Sequence, residues 1–168
     1  MIAIELRVEG KERVGLAMAA LAQHLGNDLR PALEVIRSWW HTWQSEIFAS
    51  EGSAQGAAWA PLSDKYRAWK EKAYPGRPIL ELTGALHRAM TGGSGEWHRI
   101  GKREMTVGTK GIPYTMAHNF GTDKLPARPF LNTTNAAMRE LNKAMQYLLA
   151  DIKRDILRKL GGPGGMAR

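Results

Sequence analysis

The stretch IAIELRVE, Ile2 to Glu9, closed by Gly10, decides the fold class. Ile2, Ile4, Leu6 and Val8 alternate with Ala3, Glu5, Arg7 and Glu9, a period of two that predicts a half-buried strand over Ile2–Val8. From Lys11 the period changes. Val14, Met18, Leu21 and Leu25 fall on one helical face, and Gly26-Asn27 ends that helix. A strand followed by helical periodicity points to a mixed fold.

Asp28 is a natural cap for a second helix, and Pro31 sits in its first turn, where a missing N–H costs little. Leu29, Leu33, Ile36, Trp40, Trp43 and Ile47 keep helical spacing up to Ala49. Trp39 lies off that stripe. Two adjacent tryptophans cannot both face one core from such a helix, so one is expected to meet another element or another subunit. His41, between Trp40 and Trp43, reads as a helix-surface histidine packed on an aromatic ring.

Glu51–Ala58 is a small-residue loop. Ser63 caps a short helix carrying Tyr66 and Trp69, which Pro75, Gly76 and Pro78 stop. Leu80 to Met90 reads as another short helix, with Leu82, Leu86, Ala89 and Met90 apolar. Glu96–Ile100 and Glu104–Gly108 flank Gly101-Lys102 as a hairpin. Lys110 to Pro129 is rich in Gly and Pro and holds no long periodic run. A final helix, Asn135–Leu160, carries Met138, Leu141, Met145, Leu148, Ile152 and Ile156 as its stripe. The expected fold is α+β: a small, mainly antiparallel sheet with two long helices, Asp28–Ala49 and Asn135–Leu160, and short helices packed on it. The segment near Tyr114 is a further candidate strand. One domain spans 1–160, and 161–168 form a Gly-rich tail.

At 168 residues with 43% hydrophobic and 24% charged residues, the chain can build a core. It lacks an apolar run of membrane-spanning length, and its N-terminus resembles no signal peptide, so a cytoplasmic origin without membrane contact is expected. The absence of cysteine excludes disulfides, thiol nucleophiles and sulfur-based zinc sites. The net charge of +8 is uneven: residues 1–60 hold five basic and seven acidic side chains, whereas residues 61–130 hold twelve and six. Such a surface favours anionic partners.

Motifs for catalysis are missing. His24, His41, His87, His98 and His118 have no metal-ligand spacing, and no G-x-S-x-G, Walker loop or dinucleotide fingerprint occurs. No catalytic, cofactor-binding or metal-binding residue is therefore assigned. Tyr66, Trp69 and Tyr74 interleave with Lys65, Arg67, Lys70, Lys72 and Arg77, as a stacking surface for nucleic acid would. The simpler reading has Tyr66 and Trp69 packing on one helix face while the lysines stay in water.

Two segments carry a resemblance. One is Trp59-Ala60-Pro61-Leu62 with Ile79-Leu80-Glu81-Leu82-Thr83-Gly84-Ala85-Leu86. The other is Val107-Gly108-Thr109, then Tyr114 to Gly121 (YTMAHNFG), then Pro126-Ala127-Arg128-Pro129-Phe130-Leu131. In this order and spacing they resemble the tailed-phage virion-morphogenesis family, which includes tail-completion proteins of contractile-tailed and Mu-like phages.

The resemblance implies a virion structural protein at the tail or neck, assembled in the host cytoplasm. It also implies a self-associated ring, six-fold by analogy, that meets connector or neck proteins and the tail tube or tail terminator. Transient, sequence-blind contact with genome DNA is a further implied partner interaction. The candidate contact residues are Trp39, Trp40, Tyr114, His118, Lys124, Arg128 and Phe130. The prolines flanking Arg128 are expected to stiffen a contact loop that presents it to a partner carboxylate, so that Arg128→Glu would block joining and leave the subunit folded.

Overall fold

The computed structural model describes residues 2–6 and 28–131, together with five helical positions further on: Lys143, Gln146, Tyr147, Ala150 and Arg154. The expected helix from Lys11 and the Gly-rich tail lie outside the described residues, as does most of Asn135–Leu160.

Three strands form one antiparallel sheet in the order β1–β3–β2, with β1 at Ile2–Leu6, β2 at Glu96–Ile100 and β3 at Met105–Thr109. The hairpin strand β3 is central. Ile4 pairs with Val107 on one side of it, and His98 with Val107 on the other. The N-terminal strand thus closes onto a hairpin a hundred residues away, which gives the α+β fold its sheet.

The long helix α1 runs Arg30–Ala49. The stripe that the spacing predicts is buried, from Leu29 just before the helix through Leu33, Ile36, Trp40, Trp43 and Ile47, and Phe48 is buried beside it. Asp28 lies two residues before the helix, and its Oδ1 accepts the Arg30 N–H at 3.2 Å. Trp40 enters the core, while Trp39 is half-buried and stacks on Trp43 one turn away, their rings 6.5 Å apart. Two neighbouring indoles are accommodated because the second leans along the helix surface. The stripe packs against Leu86 and Met90 of helix α3 (Ala85–Met90), Met105 and Val107 of β3, Trp59, and Phe130.

Several expectations change here. The loop after α1 contains a 3-10 turn, Ser53–Gln55, with Gln55 buried. Gly52 turns the chain at φ 92°, where a Cβ would lie 2.6 Å from Trp59 Cδ1. The helix expected from Leu80 begins only at Ala85. Leu80 has φ 63° and Gly84 φ 73°, so the backbone between them turns before it can wind. The segment after Tyr114 is a helix, α4 (Thr115–Phe120), rather than a strand. Thr115 and Asn119, one turn apart, are its buried side.

A tether fixes α1 to the sheet edge. Glu96, at the start of β2, receives Arg37 Nε at 2.9 Å and Nη2 at 2.7 Å, and lies 2.9 Å from His41 Nε2. His41 is therefore engaged with a buried carboxylate and not simply packed on an aromatic. Burial by itself raises the Glu96 carboxyl, and the Arg37 and His41 hydrogen bonds together outweigh it, holding it below the usual carboxylate value.

Candidate interaction cleft

The recurrent prolines and glycines of residues 59–131 prevent long helices, and the short pieces that result fold around one another. Their product is a cleft of about 890 Å³. It is lined by Pro61 and Leu62, by Leu80, Leu82 and Gly84, by Tyr114 and His118, and by Leu125, Pro126 and Arg128. Tyr66 and Lys70 enter from helix α2 (Asp64–Ala73). Every motif singled out in the sequence between Trp59 and Phe130, except Val107-Gly108-Thr109, contributes a residue to this cleft or to the strap beneath it.

The strap is Pro126–Leu131. Arg128 is 3% exposed, and its Nε donates to the Ala60 carbonyl at 2.7 Å and its Nη2 to the Pro61 carbonyl at 2.9 Å. The next carbonyl, of Pro129, accepts Trp59 Nε1 at 2.7 Å and also Gln55 Nε2. Phe130 is fully buried, its carbonyl bonded to Gln44 Nε2 at 3.1 Å. The Trp-x-Pro and Pro-Ala-Arg-Pro-Phe segments are thus two sides of one joint, each satisfying the other's polar backbone.

This placement revises the expectation for Arg128. It is no exposed finger on a stiffened loop: its guanidinium is spent on this chain's own carbonyls. Trp40 and Phe130, also named as contact candidates, fill the chain's own core. Tyr114 remains exposed and meets His118 edge-on with centroids 5.6 Å apart. His118 is half-buried, and its Nδ1 is enclosed without a hydrogen-bond partner among the described residues. Burial first, and the Arg128 charge second, push its imidazole below the usual histidine value. Lys124 is exposed at the cleft rim.

The cleft's electrostatics are lopsided. Asp64 bonds Arg67, and Glu81 faces His87 Nδ1 at 3.3 Å. Among the described residues no carboxylate forms an ion pair with Lys124 or Arg128. Burial lowers Arg128's proton affinity, opposed only by the Tyr66 phenol. Lys70, expected in water, is 4% exposed and donates Nζ to the Pro78 carbonyl; burial lowers its amine too. Tyr66 and Trp69 do contact each other, at 5.3 Å, but on the outside: they are 41% and 48% exposed.

Sequence reasoning missed the Arg37–His41–Glu96 cluster and the burial of Lys70. Arg37 and His41 stand four apart on one flank of α1, which hinted at a shared partner, but nothing local names a carboxylate at position 96. Among the described residues, no group of three or more His, Asp or Glu side chains could hold a metal ion, and no helix is long and apolar enough to cross a membrane.

Comparison with curated proteins and with solved structures gave no match. Comparison with family models gave one that covers residues 10–150, and with it the whole of the α1 helix, the hairpin, the cleft and the strap. The chain belongs to the phage virion morphogenesis family.

Proposed function

We propose that the chain is a structural protein that completes the tail or joins head to tail at the neck of a tailed phage, acting as a ring and without catalysis. The observation that carries this reading is the family match over residues 10–150, which takes in every motif that builds the cleft and strap. In this reading the short pieces between Trp59 and Phe130 make a rigid joint, and the exposed surface around it meets neighbouring subunits, connector and tail proteins. The charged rim at Lys124 steers and orients docking more than it adds affinity. The test is a phage lacking this chain: filled heads and separate tails should accumulate, and supplying the chain should restore infectious particles. Normal joining without it would overturn the reading. Its density in an intact particle should lie between head and tail.

A second reading rests on α2. Tyr66, Trp69 and Tyr74 form an exposed aromatic cluster beside the exposed Lys65, Arg67, Lys72 and Arg77. Such a surface suits sequence-blind contact with DNA through stacking and phosphate neutralisation. Binding of the isolated chain to single-stranded DNA, weakening steeply with salt and lost in a Tyr66→Ala, Trp69→Ala double variant, would support it.

A further inference from the structure

Helix α4 has three sides at about 100° per residue. Thr115 and Asn119 are buried in the chain, Tyr114 and His118 line the cleft, and Met116 and Phe120 face away from both. Phe120 is 65% exposed and Met116 52%, the most exposed pair of large apolar side chains on one helix face among the described residues. Neither the core nor the cleft uses them. Three residues beyond Phe120 stands Asp123, exposed and in no ion pair among the described residues.

We propose that the cleft of one subunit seats Met116 and Phe120 of a second copy, with that copy's Asp123 opposite the rim Lys124. The match is chemical on both counts. The cleft offers leucine and proline side chains, the Tyr66 and Tyr114 rings, and at its rim the exposed Lys124, which no described carboxylate pairs. The knob supplies two bare apolar side chains and a bare carboxylate. Because cleft and knob lie on nearly opposite sides of α4, one pair of subunits cannot engage both reciprocally about a two-fold axis. The contact is heterologous and propagates head to tail until it closes into a ring. The inference rests on the assembly reading proposed above and names the surfaces that would make it.

The absence of native cysteine permits a direct test. Full-length Phe120→Cys protein is mixed with full-length Leu82→Cys protein and oxidised, and each is also oxidised alone. The mixture should give about tenfold more cross-linked dimer than either variant alone. In sedimentation velocity, Phe120→Ser should move the concentration at which the chain associates upward by about tenfold, with its melting temperature kept as evidence of folding. Asp123→Lys should weaken association similarly, and Asp123→Lys combined with Lys124→Asp should recover it. Association untouched by Phe120→Ser, cross-linking dominated by Phe120→Cys alone, or a chain monomeric at every concentration would each overturn the proposal. An oligomer that forms through another face overturns the knob and cleft while leaving the assembly reading intact; a chain absent from particles removes that reading itself.

Discussion

Asn119 holds Phe130 through its backbone: Oδ1 accepts the Phe130 N–H at 3.0 Å and, with its second lone pair, the Leu131 N–H at 2.8 Å. Asn119 is 3% exposed, so water cannot readily replace it. Asn119→Ala leaves the buried Phe130 N–H and the part-buried Leu131 N–H without their acceptor and should cost roughly 1–3 kcal/mol. Urea unfolding should show the midpoint lowered, with the slope unchanged. A loss under about 0.5 kcal/mol, the usual range of surface changes, would mean that the strap is held elsewhere.

Arg128 should behave as a folding residue. Arg128→Met removes two charge-assisted hydrogen bonds and leaves the Ala60 and Pro61 carbonyls bare, for a loss of about 3–5 kcal/mol. Arg128→Glu should be worse still, since it places a carboxylate against those same carbonyls. A failure of head–tail joining in that variant would therefore reflect loss of fold. Thermal melts of both variants check this, and a Glu variant as stable as the parent would restore Arg128 as an exposed contact.

Gly121 and Gly111 both have φ 76°, but their surroundings differ. A Cβ on Gly121 would lie 2.8 Å from Ala127 N and 2.9 Å from Leu125 O, whereas on Gly111 it would meet nothing within 4 Å. Gly111→Ala should cost only the left-handed backbone penalty of about 1–2 kcal/mol. Gly121→Ala adds a backbone clash where α4 turns into the strap, and should cost at least about 1 kcal/mol more. Equal losses would show that the strap moves aside freely.

What the sequence made legible follows from the range of the signals. The α1 stripe and the hairpin are local patterns, and Leu33 to Ile47 and Glu96 to Ile100 appear where they are expected, with the second hairpin strand one residue later, at Met105–Thr109. The order of motifs from Trp59 to Leu131 also carried the family. Harder to read was which side chains the motifs spend on one another. Arg128 looks like a presented cation because its flanking prolines are visible, but its acceptors are main-chain carbonyls 67 and 68 residues away that have no sequence signature. The α4 helix escaped because six residues are too few to show a period. Leu80 to Gly84 failed as a helix because two left-handed backbone positions cannot be seen in an apolar pattern.

Glu96 gives the fold an acid-sensitive joint. Its carboxyl lies below the ordinary value of 4.5 in the folded chain, because Arg37 and His41 outweigh the burial that opposes ionisation. The unfolded chain therefore binds a proton at Glu96 more readily than the folded one, and stability rises with pH across that interval. The contribution is complete above the ordinary carboxylate range and is lost as pH falls through the folded value. His98 Nδ1 lies 3.7 Å from the same carboxylate, so three cationic or potentially cationic groups face it. Glu96→Gln keeps the shape and removes the charge. It should cost about 1–3 kcal/mol near neutral pH. Between about pH 5 and pH 2 its unfolding free energy should fall less steeply than the parent's, because one titrating group is gone. Denaturant unfolding of both proteins across that range measures the difference, and parallel pH curves would show that Glu96 is not the group that links α1 to the sheet.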